Sequence, residues 1–161
     1  MTAPDADDTP RLMMPPPIFL AIAAVAALIL DWIIPLQFLA TPSVTTLQSW
    51  VGFAIAAAGV ALAVTGASEF NRAGTNVNPF QPALRLVTTG PYRFTRNPMY
   101  LGMTLFLFGF SLMLSLEWGV ILTPLLWLAF DRLVVAREEA YLSEKFGEPY
   151  RDFLRRIRRW I

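Results

Sequence analysis

The sequence predicts an all-α integral membrane bundle of about four transmembrane helices, followed by a cytoplasmic amphipathic helix. Three observations carry that prediction. Hydrophobic side chains make up 55% of the chain and charged ones only 16%, which is far from the balance of a soluble domain. The apolar residues gather in four runs long enough to cross a bilayer. All 13 Lys and Arg lie in the N-terminal tail, between the second and third runs, or at and beyond Arg132, so four spans bring every basic segment to one side. At 161 residues there is room for one small bundle and no separate soluble catalytic domain, and any site must be built from helix ends and loops.

Residues 1–11, with Asp5, Asp7, Asp8 and two prolines, have the composition of a disordered tail, and their acidity is unlike a cleaved signal peptide. Residues 12–161 form a single domain. Pro15, Pro16 and Pro17 delay the first helix to Ile18, so the first span covers 18–39. Asp31 then falls inside it, beside Trp32 and one turn before Pro35. The pair reads as a headgroup-layer marker with a tilted extension after it, against the competing reading of a functional intramembrane carboxylate.

The second span covers 47–67. Its Gly52, Ala56, Gly59, Ala63 and Gly66 recur with alternating spacings of four and three, a seam along which another backbone can approach closely. A helix of the same bundle is the expected neighbour, and a homo-oligomer through Gly52, Gly59 and Gly66 is the alternative. The third span, 98–116, has Asn97 as N-cap and Pro98 at its first helical position. After a tight turn the fourth covers 118–135, with a kink expected at Pro124.

Cytoplasmic helices occupy 136–161. The first continues through Glu138 and Glu139 to Phe146, where Gly147 stops it, and Pro149 opens the last. There Tyr150, Phe153, Leu154, Ile157, Trp160 and Ile161 share one face and five arginines take the rest. Such a helix suits the surface of an anionic leaflet, or a tail docked on the bundle. Cations beside a membrane do not imply nucleic acid. The positive-inside rule puts both termini, the 72–96 connector and any site on the cytoplasmic face of a bacterial-type inner or plasma membrane.

The chain has neither Cys nor His, which removes thiol nucleophiles, imidazole bases and nearly every transition-metal ligand set. What remains suits group transfer from an already activated donor. The polar stretch 90–102 opens the third span, and Glu138 with Glu139 follows the fourth, so both face one side. The start of a helix favours an anionic group, and Arg93 and Arg96 add charge-assisted donors. Glu138 or Glu139 can accept from an ammonium group, and Tyr92 or Tyr100 offers a flat face to a purine. Carboxylate, ammonium and purine together match S-adenosylmethionine, with a lipophilic acceptor arriving from the bilayer and membrane lipids as neighbours. Anchoring arginines, interfacial tyrosines and a solvated acidic face are the plainer readings of the same residues.

From about Leu84 to Tyr150 the sequence resembles the integral membrane methyltransferases related to isoprenylcysteine carboxyl methyltransferase and phospholipid methyltransferase. The resemblance lies in Leu86-Val87-Thr88-Thr89-Gly90-Pro91-Tyr92, Arg96-Asn97-Pro98-Met99-Tyr100, the hairpin of spans, Glu138-Glu139 and Phe146-Gly147-Glu148-Pro149-Tyr150. It implies a pocket for S-adenosylmethionine made by Leu84, Arg85, Leu86, Val87, Tyr92, Asn97, Pro98, Met99 and Tyr100, with Glu138 holding the amino end and Glu139 beside it. Arg96 is the candidate catalytic residue of that motif. Two departures stand out. The family commonly has histidine where this chain has Asn97, which keeps a hydrogen-bonding amide and loses the titratable ring. An arginine thought to face an acceptor carboxylate is replaced by Val134, with Arg132 and Arg137 as the nearest catalytic substitutes. The rivals are a nicotinamide-dependent membrane reductase similar to the sterol reductases and a non-enzymatic membrane scaffold.

Overall fold

The computed structural model describes residues 8–161. Residues 1–7, most of the expected tail, lie outside the described part. Among the described residues the structure is helical throughout, with no strand. Helices α1 (Pro16–Ile33), α2 (Leu47–Ala73), α3 (Pro98–Leu114) and α4 (Glu117–Ala129) run up and down. They stand side by side in the order α1, α4, α3, α2. The helix of α4 continues through a π-helical stretch (Phe130–Val135) into α5 (Ala136–Phe146), and α6 (Glu148–Arg156) follows. Three helices, α1, α2 and the continuous Glu117–Phe146, are long and apolar enough to cross a membrane, while α3 is a shorter apolar helix.

α1 begins two residues before the expected Ile18 and stops at Ile33, six residues short of the expected end. Pro35 is the reason. A residue before proline is pushed out of the α region, and Ile34 sits at φ −134°, ψ 73°. The expected helical extension is therefore an irregular segment. Asp31, in the last turn of α1, accepts from the backbone N–H of Trp118 at 3.4 Å, and the Trp118 indole donates to the Ile34 carbonyl at 2.8 Å. Both belong to the end of the bundle formed by the start of α4.

α2 runs six residues past its expected end at 67. An apolar run marks where hydrocarbon contact ends, whereas the helix itself ends at Gly74, left-handed at φ 67° and ψ 40°. Its 27 residues reach about 40 Å, longer than the ~30 Å hydrocarbon core, so its last turns project beyond the apolar layer.

The glycine seam of α2 faces α3 of the same chain. A Cβ on Gly59 would stand 2.6 Å from the Gly102 carbonyl and 2.7 Å from the Phe106 nitrogen. Gly52 meets Gly109 and Met113 in the same way, and Gly66 meets Pro98 and Met99. Gly102 and Gly109 form a matching seam on α3, so the seam expected either for packing or for a second copy is filled inside the bundle. Between α3 and α4, Ser115 adopts φ 56°, ψ 43°, and the Leu116 N–H closes the turn onto Ser111 at 2.8 Å.

Two further differences concern the ends. Asp8 to Leu12 is packed on the bundle, with Leu12 in the core beside Phe130, Val134 and Val135. The last helix stops at Arg156, so residues 157–161 lie beyond it. Tyr150 and Phe153 of α6 are buried against Val87 and Tyr92, which makes this helix a docked one; its outer face carries Arg151, Asp152, Arg155 and Arg156.

Candidate active site

The site forms where the projecting end of α2, the start of α3 and α5 come together. Between α2 and α3 the chain must turn back sharply, and Gly90 at φ 59° makes that turn. A Cβ there would strike the Glu69 side chain at 2.8 Å, while Thr89 donates its hydroxyl to the same Glu69. A 3₁₀ turn (Gly90–Arg93) then buries Tyr92, whose ring lies 5.5 Å from that of Phe70. The Tyr92 hydroxyl is buried without a partner among the described residues, and burial, with the charges of Glu138 and Glu69 adding to it, holds this phenol well above its ordinary range.

Asn97 and Pro98 start α3 as expected, but the Asn97 side chain does not cap the helix. Its amide donates instead to the Arg159 carbonyl at 3.0 Å, because residues 157–161 cross this helix end. One turn on, Tyr100 stacks on Phe130 with ring centroids 5.2 Å apart and donates its hydroxyl to Glu138 Oε1 at 2.6 Å. The π-helical stretch inserts an extra residue per turn, so the register of α5 differs from that of α4. α5, with Arg137, Glu138, Glu139, Glu144 and Lys145, is too polar for the hydrocarbon layer and stands beyond the fourth span.

The two glutamates have different surroundings. Glu139 is paired with Arg96 at 3.3 Å and with Arg159, whose Nε lies 3.2 Å away. Glu138 forms no ion pair among the described residues. Burial pushes its carboxyl up to about 7; the Tyr100 hydrogen bond acts against that rise, and the charge of Glu139 adds to it. Glu138 is therefore a carboxylate whose ionised form awaits a cation.

A connector folds over these groups. Thr75 is buried and its hydroxyl accepts from the N–H groups of Leu84 at 2.9 Å and Arg85 at 3.2 Å. The Ala83 N–H donates to the Tyr141 hydroxyl at 3.0 Å. That hydroxyl also bonds Asp8, and Lys145 grips the Asp8 carboxylate at 2.6 Å. Pro10 thereby becomes part of the wall of an open cleft of about 840 Å³, its solvent-filled mouth included.

Ten of the residues singled out in the sequence line this cleft: Arg85, Leu86, Val87, Tyr92, Arg96, Asn97, Met99, Tyr100, Glu138 and Glu139. Five do not. Leu84 and Arg93 are exposed, so of the two arginines expected as donors only Arg96 reaches the cleft, and Pro98 is fully buried beneath the helix start. Arg132 points outward with its side chain 74% exposed, and Arg137 turns to the N-terminal arm, where it donates to the Arg11 carbonyl at 3.3 Å. The Arg132 and Arg137 positions thus sit outside the cleft, because their helix presents only one face to it. Sequence reasoning missed Pro10, Phe70, Asn76, Gln81, Tyr141, Tyr150 and Phe153, which also line it. The amphipathic pattern of Tyr150 and Phe153 was a readable signal for burial, whereas nothing local marked Pro10 or Tyr141.

The residues present fit a ligand that brings a cation and hydrogen-bonding groups. Besides the cation-free carboxylate of Glu138, the Tyr92 hydroxyl and the Arg96 Nε are buried and unpartnered among the described residues, an unmet demand that a bound polar molecule would satisfy.

No solved structure matches the chain. An uncharacterized protein of Haemophilus influenzae is 42% identical over 66 residues, which cover 39% of this chain and the whole of that protein. The phospholipid methyltransferase family model matches residues 47–149, a stretch that takes in the glycine seam, the connector, the start of α3 and the glutamate pair. With well over half of its length matched in this way, the chain belongs to the phospholipid methyltransferase family.

Proposed function

We propose that the protein is a membrane methyltransferase that takes its methyl group from S-adenosylmethionine and gives it to a lipophilic acceptor. The observation that carries this reading is Glu138: a carboxylate without a cation, held by Tyr100 in a cleft that also contains an unpartnered Tyr92 hydroxyl and Arg96 Nε. When bound, the cofactor supplies a methyl group already activated on a sulfonium, so the protein's own work is positioning and exclusion of water. Glu138 would hold the ammonium group and Arg96 the carboxylate. Tyr92, Tyr150 and Phe153 supply apolar wall for the nucleoside.

All the Lys and Arg of the chain belong to the end of the bundle that holds the cleft, and segments 34–46 and 115–116 at the other end carry none. By the positive-inside rule the cleft faces the cytoplasm, where S-adenosylmethionine is dissolved, while the acceptor arrives through the bilayer. Titration of the purified protein with S-adenosylhomocysteine and, separately, with NADPH tests the donor assignment. Binding of the first and not the second is expected. Binding of NADPH alone would replace the methyltransferase reading with that of a reductase.

A further inference from the structure

Segment 157–161 does more than cover the start of α3. Its backbone is fixed by three bonds: Arg96 N–H to the Arg158 carbonyl at 3.1 Å, and the Thr95 hydroxyl and Asn97 amide to the Arg159 carbonyl at 3.1 and 3.0 Å. Trp160 anchors it from the other side, donating to Asp131 at 2.9 Å and packing against Trp127. The Arg159 guanidinium is thereby held between two carboxylates, Asp131 on the π-helical stretch at 3.1 Å and Glu139 on α5.

The charges at this end of the cleft then sum in an instructive way. Asp131, Glu138 and Glu139 are three carboxylates, and Arg96 and Arg159 are the two half-buried or buried guanidiniums that meet them. Arg132 reaches Asp131 at 3.4 Å only from the exposed side, where solvent screens it. Two positive charges offset Asp131 and Glu139, and one negative charge is left over. It sits on Glu138, the residue that faces the cleft with only the Tyr100 hydroxyl upon it.

We infer that Arg159 is a positioning residue of the donor site: by holding Glu139 and Asp131 it leaves Glu138 as the single carboxylate free to bind a ligand cation. The inference rests on the reading of the cleft as a site for S-adenosylmethionine. Without Arg159, Glu139 keeps only Arg96, its excess charge disfavours ionisation of Glu138 one residue away, and Arg96 is drawn further from the cleft.

The test is calorimetric binding of S-adenosylhomocysteine to the full-length protein in detergent, with the unfolding midpoint of each variant recorded. Arg159→Ala is expected to bind about tenfold more weakly than the parent, and Arg159→Ala/Glu139→Gln at least about fivefold more tightly than Arg159→Ala. Recovery on removing the Glu139 charge is what a purely structural strap would not show. If Arg159→Ala does not fold, Arg159→Gln with and without Glu139→Gln gives the same comparison. A parent that binds while Arg159→Ala or Arg159→Gln matches it, or a double variant no tighter than the single one, overturns the inference alone. A parent that fails to bind overturns the cofactor reading and the inference with it.

Discussion

Glu138→Gln isolates the charge on which the donor site rests. Glutamine keeps the length of the side chain, and its amide oxygen can still accept from the Tyr100 hydroxyl, as Glu138 Oε1 does at 2.6 Å. What it removes is a negative charge that no described cation balances. A hydrogen bond to a charged group contributes about 1.5–3 kcal/mol, so the variant should bind S-adenosylhomocysteine roughly ten- to a hundredfold more weakly. The same carboxyl titrates at about 7, raised by burial. The sign follows from the ligand: its ammonium group binds the ionised carboxylate, so below that pKa binding must expel a proton. Affinity therefore climbs through the neutral range, by about tenfold between about pH 6 and about pH 8, and then levels off. Calorimetry in two buffers of different ionisation enthalpy reads the affinity and the released proton together. Glu138→Gln should bind weakly at every pH and release no proton at this site. A variant within about twofold of the parent, or a parent with flat affinity across that range, refutes the reasoning.

Three further perturbations separate parts of the structure. Gly59→Leu places its Cβ 2.6 Å from the Gly102 carbonyl and 2.7 Å from the Phe106 nitrogen; backbone cannot yield as a side chain can, so at least about 1–3 kcal/mol of stability should be lost, read as a lower unfolding midpoint in detergent. Arg132→Ala removes a side chain that is 74% exposed, and its affinity for S-adenosylhomocysteine should stay within about twofold of the parent. Lys145→Ala frees Asp8 from a pair in which the side chains are 23% and 39% exposed. It should leave the unfolding midpoint nearly unchanged, because solvent screens so exposed a pair, yet speed limited proteolysis of the N-terminal arm.

The membrane class, the existence of four apolar helices and the pairing of the 90–102 stretch with the glutamates were legible because they depend on composition, apolar run length and strong punctuation, though only three of those helices are long and apolar enough to cross a membrane. Gly147 and Pro98 end and start their helices where the sequence places them. Boundaries set by weaker signals were not. Pro35 cut α1 short through the conformation of Ile34, and α2 outran its apolar stretch because nothing stops a helix before Gly74. The site was legible only along the motif. Ten residues in or beside it line the cleft, whereas Pro10 and Tyr141 join it, and Arg159 reaches Asn97 beside it, through contacts between segments more than 50 positions apart, a relation with no local trace. Apart from the family resemblance, which favours Glu138, the two glutamates look alike in the sequence, and in the structure the arrival of Arg96 and Arg159 at Glu139 distinguishes them.

The same packing that makes the bundle explains why its chemistry is confined to one end. Glycine facing glycine brings α2 and α3 close enough that a single Cβ would collide with backbone, and Leu107, Phe130, Val134 and Val135 fill the space toward α1 and α4. At the cleft end the order changes: α2 overshoots the apolar layer, Gly90 reverses the chain, and the π-helical stretch passes the fourth helix on into a polar α5. The helices can pack tightly along their length because charged groups are displaced to where water and soluble ligands reach them, and on the proposed function a donor bound there would meet an acceptor embedded beside the same helix ends. Loosening the seam should therefore disturb the cleft only through stability, whereas altering Glu138 or Arg159 should alter binding at nearly constant stability, and comparing Gly59→Leu with Glu138→Gln in the two assays decides whether the two functions of the fold are separable in this way.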